Sequence, residues 1–318
     1  MHFVSYVLIS CVVLIIASCQ KEKHEFVFTQ LNSGTINDLN SLWFTDDMTG
    51  YTCGGDRYYQ GNILKTTDAG ATWFDQGAAI DKALYSLFFV NNDTAFMGGY
   101  DGKIFRTYNA GDSWALYQNY VYQPVRGIFM VNDNLGFCCG GNGFKTGFIL
   151  HTYDGGNQWQ TDTFSMEWRS IFFVDNNHGF VAGYGSIFET TNGGLTWQPT
   201  PASGDFFQSL YFSSPQTGFA VGYEGTILKT IDGGKTWEKK RNGNDLLQGT
   251  KHFKQIIFRD QTTGYIVGEK GCMLKTENSG ESWNEVINAP DVNLNAIFLV
   301  EDGGYICGEG GKIYRFLE

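Results

Sequence analysis

Apolar and polar residues alternate along this chain in short runs separated by Gly, Asn and Asp, and no stretch shows the periodicity of a long amphipathic helix. The runs recur in a fixed order. A first strand carries a Leu or Ile followed two residues later by an apolar or aromatic residue: LNSLWF, LYSLFF, VRGIFM, WRSIFF, FQSLYF, FKQIIF and LNAIFL. A polar turn such as Asn91 to Thr94 or Asp175 to His178 leads to a second strand ending at Gly (YTCGG, AFMGG, FCCGG, FVAGY, FAVGY, YIVGE, YICGE). A glycine-rich turn and a third strand follow, for example NILKT, KIFRT or TILKT, and then a motif that recurs from one end of the chain to the other.

That motif is Thr, any residue, Asp or Asn, any residue, Gly, two residues, then Trp. It occurs at Thr66–Trp73, Thr107–Trp114, Thr152–Trp159, Thr190–Trp197, Thr230–Trp237 and Thr276–Trp283. Asp68, Asn109, Asp154, Asn192, Asp232 and Asn278 suit acceptors for the backbone of a tight turn, and the Gly that follows two residues later can take positive φ. Trp73, Trp114, Trp159, Trp197, Trp237 and Trp283 then open a fourth strand and bury a large ring, with the indole N–H available to a carbonyl.

Seven first strands stand against six copies of the motif. From the Leu or Ile of a first strand to its Trp the intervals are 31, 27, 31, 26, 27 and 27 residues, and from Ile297 even the shortest step overruns Glu318. The seventh unit therefore lacks a fourth strand. Stepping back from Leu42 places the missing strand at Phe26–Gln30, with Phe28 in the Trp slot. The pattern predicts an all-β, seven-bladed β-propeller over residues 26–318, four antiparallel strands per blade, its last blade closed by the N-terminal strand. Such a ring leaves no long exposed sheet edge and has little need of an oligomer, so a monomer is expected.

Composition agrees: 16% aromatic residues and 41 glycines against 5 prolines suit short twisted strands and tight turns. The formal charge of −11 excludes a typical nucleic-acid binder. Cys53, Cys139 and Cys307 share one core slot, where other units carry Met97, Ala182, Val221 and Val267. Cys138 and Cys272 fall elsewhere, there is no CxxC, and the histidines are scattered, so no cofactor or metal is expected. Cys53 with Cys307 is the one pair for which a disulfide is considered. The apolar run Val4–Ala17 and the following Ser18–Cys19 resemble a lipoprotein signal peptide. The resemblance implies cleavage after residue 18, lipidation of Cys19, a polar tether over residues 19–25, and membrane anchoring outside the cytoplasm, at the outer membrane or cell surface. An uncleaved anchor helix would leave the same compartment.

With its units aligned, nearly the whole mature chain resembles the photosystem II stability/assembly factor family of propellers, within the group marked by BNR or Asp-box repeats. The first-strand pattern, the G-x-I-x-K-T third strand (Gly225–Thr230) and the DGGKTW turn carry the resemblance. It implies a non-enzymatic platform that binds proteins during assembly of a membrane complex, with a basic patch serving the partner. Sialidases share Asp-boxes but need an arginine triad, a Tyr–Glu pair and usually an early FRIP-like segment, which is absent here.

The loops on the face opposite the Asp-box turns are the expected partner surface. One position at the start of each first strand is expected to face the channel mouth: Asn40, Tyr85, Arg126, Arg169, Gln208, Lys254 and Asn295. In an acidic protein Arg126, Arg169 and Lys254 would focus positive potential for an acidic group, unless they pair with neighbouring loop carboxylates. Arg57, Tyr58 and Tyr59, in an insertion read as peculiar to unit one, together with Trp168, Tyr100, Phe144, Lys145, Tyr184 and Tyr223, would line the rim, though Tyr100, Tyr184 and Tyr223 also fit a repeated packing position. The expected function is a lipid-anchored, non-catalytic protein-binding platform. The alternatives are a glycan-binding or glycoside-hydrolysing propeller, using Asp56, Asp101, Glu224, Glu269 or Glu309, and a purely structural surface protein.

Overall fold

The computed structural model describes residues 24–76, 80–118 and 121–318; Cys19 and the residues before it lie outside the described residues. Among those described, regular structure is β-strand apart from three single-turn 3-10 helices. Seven inner strands stand in a ring: Leu39–Phe44, Leu84–Phe89, Val125–Met130, Trp168–Phe173, the second half of Gln198–Phe212, Phe253–Phe258 and Leu294–Val300. Each touches the next, and the last touches the first. From each, antiparallel strands run outward, giving a β-propeller with four-stranded antiparallel blades.

Hydrogen bonding divides these strands into six sheets, and the expected seven separate blades are corrected on this point. Five sheets have four strands, and one of six joins the fourth and fifth repeat units. The cause is the continuous strand Gln198–Phe212, which pairs with Gly179–Thr190 through Ser203 and Phe206, then with Gly218–Gly222 from Phe207 onward. No loop interrupts it, so the outer strand of one unit becomes the inner strand of the next.

The ring closes through Val27–Asn32, which pairs antiparallel with Lys312–Leu317 along its whole length. Phe28 holds the register of the Trp slot, opposite Phe316, but the ring that reaches the preceding unit is Phe26. In units three to six the motif Trp meets an aromatic of the preceding unit edge-on, as Trp197 does Phe137 at 6.4 Å and 84°. In the seventh unit Phe26 meets Tyr265 at 6.4 Å and 62° and stacks on Phe316 at 5.5 Å, while Phe28 contacts Phe26 and Phe316 but not Tyr265. The missing Asp-box is replaced by Glu318, whose carboxylate takes Arg259 at 2.6 Å, Lys275 at 2.7 Å and the Tyr265 hydroxyl.

Each Asp-box is one hydrogen-bonded turn. In the fifth unit the Thr230 hydroxyl donates to Asp232 (2.8 Å) and accepts from the Gly234 N–H (2.9 Å), and Asp232 accepts from the Thr236 N–H (2.9 Å). Gly233 and Gly234 are both left-handed, and a Cβ on Gly234 would stand 2.4 Å from the Phe180 ring, so glycine is required there. The indole N–H groups, expected to find carbonyls, have no hydrogen-bond partner among the described residues. The edge-to-face contact takes that place. The five described cysteines are free thiols, Cys53 and Cys307 included.

Candidate functional site

In each inner strand the pairing register shifts at the second residue, as between Leu39 and Ser41, Val125 and Gly127, or Phe253 and Gln255. Such bulges re-aim a side chain. Here they turn Asn40, Tyr85, Arg126, Arg169, Gln208, Lys254 and Asn295 inward, and all seven line one cavity of about 180 Å³ on the channel. The bulge also explains the spacing of buried positions in five of these strands, which fall first, fourth and sixth rather than at alternate residues.

The seven positions differ in what they do. The Asn40 amide donates to the Leu84 carbonyl (2.7 Å) and that of Asn295 to the Leu39 carbonyl (3.0 Å), so both pin one inner strand to the next. Gln208 donates to its own strand at Phe206 (3.1 Å). Lys254 pairs with Glu269 at 2.7 Å and lies over the Tyr223 ring. Arg169 pairs at 2.8 Å with Glu167, a buried carboxylate that also accepts the Phe144 N–H. Burial and then the nearby Arg126 charge lower the Arg169 pKa to about 10, against the pull of Glu167. Two of the three cations are thus engaged by loop carboxylates.

Arg126 is different. Its guanidinium stacks on Tyr85, 4.0 Å from the ring centroid, and among the described residues no carboxylate lies within salt-bridge distance. Its Nε is shut off from solvent without a hydrogen-bond partner. Burial lowers its pKa, with Tyr85 and Glu167 opposing. Burial likewise raises the Tyr85 pKa, against Arg126 and Arg57. Arg126, Tyr85 and Asn40 also line a second, larger cavity of about 500 Å³, together with Asp38, Asp56 and Arg57. A cation with no carboxylate within salt-bridge distance, at the wall of a polar pocket, is an arrangement suited to an incoming anionic group.

The rim aromatics fall into clusters around these cations. Arg57 lies over Tyr58 and Tyr100, at 5.3 and 5.4 Å, and Tyr100 continues to Tyr85. Phe144, Tyr184 and Phe206 pack on one another beside Arg169, which lies 4.7 Å over Phe206. Tyr223 stacks on His252 at 4.2 Å. Trp168, expected on the rim, is fully buried between Phe164 and Phe188 and is corrected to a core residue. It occupies the first, inward-packing position of its strand, where the other units place Leu39, Leu84, Val125, Phe207, Phe253 and Leu294.

The insertion in unit one is not peculiar to it. Gly50–Asp56 and Gln60–Thr66 form a hairpin with Asp56 opposite Gln60, and Gly136–Asn142 and Thr146–Thr152 form one of the same length with Asn142 opposite Thr146. The intervals of 31 residues in units one and three, against 26 or 27 elsewhere, held that signal. The loop carboxylates come one from each of five units, and four have partners: Asp101 with Lys82, Glu269 with Lys254, Asp56 accepting from the Tyr58 N–H, and Glu309 from the Asn293 N–H. Among the described residues no three His, Cys, Asp or Glu side chains converge as a metal site.

Fold and site together define a β-propeller of Asp-box repeats with a polar, partly cationic channel mouth. Residues 202–292 match the model of the family described as photosynthesis system II assembly factor YCF48. The fold is similar to that of YCF48 bound to D1 peptide (TM-score 0.72, 18% identity, covering 93% of this chain and 98% of that one). It is similar also to YCF48 from Cyanidioschyzon merolae (TM-score 0.69, 16% identity, 91% and 98%). An ancestral GH74 enzyme shares the fold as well (TM-score 0.69, 15% identity), with 91% of this chain matching 46% of that one. No curated protein matches the sequence.

Proposed function

We propose that the protein is a non-catalytic platform that binds another protein through the channel mouth, with Arg126 receiving an acidic group of the partner. The observation that carries this reading is the Arg126 guanidinium, stacked on Tyr85 at the wall of the 500 Å³ pocket with no carboxylate of its own. The protein bound to D1 peptide, to which this fold is similar, supports a protein as the ligand class. In this reading the six-stranded sheet counts as two fused blades, making seven around the channel, and the Val4–Cys19 segment tethers the ring by a lipid to a membrane outside the cytoplasm. Hydrolysis is the weaker reading because the rim carboxylates come from five different units and are mostly tied to a lysine or a turn.

The test is affinity purification of the full chain from its own membranes, wild type against Arg126→Gln. The pairing of Arg169 and Lys254 makes their charge reversal unsuitable, since it would leave Glu167 and Glu269 facing like charge. The expected result is a co-purifying protein lost from Arg126→Gln while the melting temperature stays close to wild type. Recovery of the same protein with both would remove the channel mouth from the interface.

A further inference from the structure

The twin hairpins of units one and three have the same length, the same place between second and third strands, and tips of like chemistry. The first presents Arg57, Tyr58 and Tyr59; the second presents Phe144 and Lys145. Each pairs a cation with exposed aromatic surface: Tyr59 is 82% exposed, Tyr58 54% and Phe144 49%. Tyr beside Arg is a combination enriched among the residues that anchor interfaces.

Both hairpins lean in the same sense, each onto the unit after its own. Tyr58 meets Tyr100 of unit two at 5.7 Å, and Phe144 meets Tyr184 of unit four at 4.8 Å. Both are fixed there by polar contacts: Arg57 over Tyr100, and the Phe144 N–H on the buried Glu167. Phe144 holds a left-handed backbone (φ 67°), so its ring is positioned by the turn as well. Between the two hairpins stand the inner strands of units two and three, carrying Tyr85 and Arg126, and the open pocket beneath the first hairpin. Apolar surface therefore flanks the unpaired cation on both sides, with a further cation at each tip.

We propose that the two hairpins form a clamp for an extended polypeptide segment of the partner, with an Asp or Glu side chain on Arg126 and an apolar or aromatic residue on each side of it, one against Tyr58 and Tyr59, the other against Phe144. Charge complementarity selects the partner chemistry: Asp38 and Asp56 share the pocket wall with Arg57 and Arg126, but Asp38 takes the Gly310 N–H and Asp56 the Tyr58 N–H, whereas the Arg126 guanidinium has no carboxylate within salt-bridge distance among the described residues. The proposal rests on the reading of Arg126 given above and adds the clamp and the sequence pattern that it selects.

A displayed library of random dodecapeptides, panned against the detergent-solubilised full chain, tests both separately. Wild type is expected to enrich an acidic residue with apolar residues on either side. Tyr58→Ser with Tyr59→Ser is expected to erase the apolar preference on one side, Phe144→Ser that on the other, and each to weaken binding of a selected peptide roughly tenfold. Arg126→Gln is expected to erase the acidic preference. Melting temperatures check that every variant folds. If both hairpin variants select and bind as wild type does while Arg126→Gln loses the acidic residue, the clamp is wrong and the Arg126 reading stands. If Arg126→Gln also behaves as wild type, or wild type enriches nothing, both fail.

Discussion

The Asp-box turns use aspartate and asparagine at one position, and the hydrogen bonds show how the two are exchanged. Asp232 accepts from the Thr236 hydroxyl at 2.6 Å, whereas Asn192 donates its amide to the Thr196 hydroxyl at 2.9 Å, and Asn109 and Asn278 do the same to Ser113 and Ser282. The hydroxyl rotates, and the turn keeps its shape. The two versions differ in acid. Hydrogen bonds from the Thr236 side chain and backbone outweigh desolvation and lower the Asp232 pKa from 3.8 to about 2. A folded pKa below the unfolded one means that the contribution to stability is complete above about 4 and disappears as the pH falls toward 2. Asp232→Asn should therefore melt close to wild type at pH 7 and lose less on acidification. Parallel shifts of melting temperature between pH 7 and 2.5 in both proteins would show that this carboxylate is not linked to folding.

At the scale of elements, a bulge, a hairpin and a continuous strand decide where chemistry sits. The bulge in each inner strand delivers one residue to the channel, and the hairpins bring aromatic surface to the rim. The continuous strand has a local cost: the Tyr223–Thr226 turn needs an acceptor, and the buried Asp205 supplies it, taking the Glu224 N–H at 2.9 Å and the Thr226 N–H at 3.0 Å. Asp205→Ala leaves these donors without that acceptor and should cost about 1–3 kcal/mol. Asp205→Asn, which keeps an acceptor oxygen, should lose less; equal urea midpoints for Asp205→Ala and wild type would rule out this cap. The repeats themselves were legible from Leu42, Ile171 or Ile256 and from the Trp positions, because a buried strand needs apolar residues at fixed spacing whatever lies next to it. The sheet division was not, since nothing in the run from Gln198 to Phe212 except the absence of a Gly–Asp turn says that the strand continues. Ring position was legible in the channel slot, but pairing was not: Arg126, Arg169 and Lys254 look alike in sequence, and their difference arises from Glu167 and Glu269 in other loops. Trp168 misled because its chemistry suits a rim, while its position in the strand assigns it to the core.

For the whole molecule, closure is the step that joins the most distant parts of the chain, since Val27–Asn32 must find Lys312–Leu317 before the ring is complete. Six units fasten themselves to their neighbours through an Asp-box against the preceding aromatic; the seventh relies on Glu318. Burial pushes the Glu318 carboxyl upward, but Lys275, the Tyr265 hydroxyl and Arg259 outweigh it, and the net pKa is lowered. The Tyr265 hydroxyl is raised in turn, by burial first and then by Glu318. Because the Glu318 pKa is depressed on folding, its contribution is present above the ordinary carboxylate range and is lost as the pH falls through the folded value. Lys275 and Arg259 keep other partners in Glu277 and the Gly303 carbonyl, so removing Glu318 strands neither charge completely. The expected effect is therefore local. Glu318→Ala should speed amide hydrogen exchange in Val27–Asn32 and Lys312–Leu317 roughly tenfold or more at neutral pH, while strands such as Gly136–Asn142 on the far side of the ring exchange as before. As the pH falls through the lowered folded value, the wild type should approach the variant, since protonation removes the same interaction. Uniform acceleration around the ring would mean that closure and global unfolding are one event, and no acceleration would mean that the strand pairing holds the seventh unit without the carboxylate.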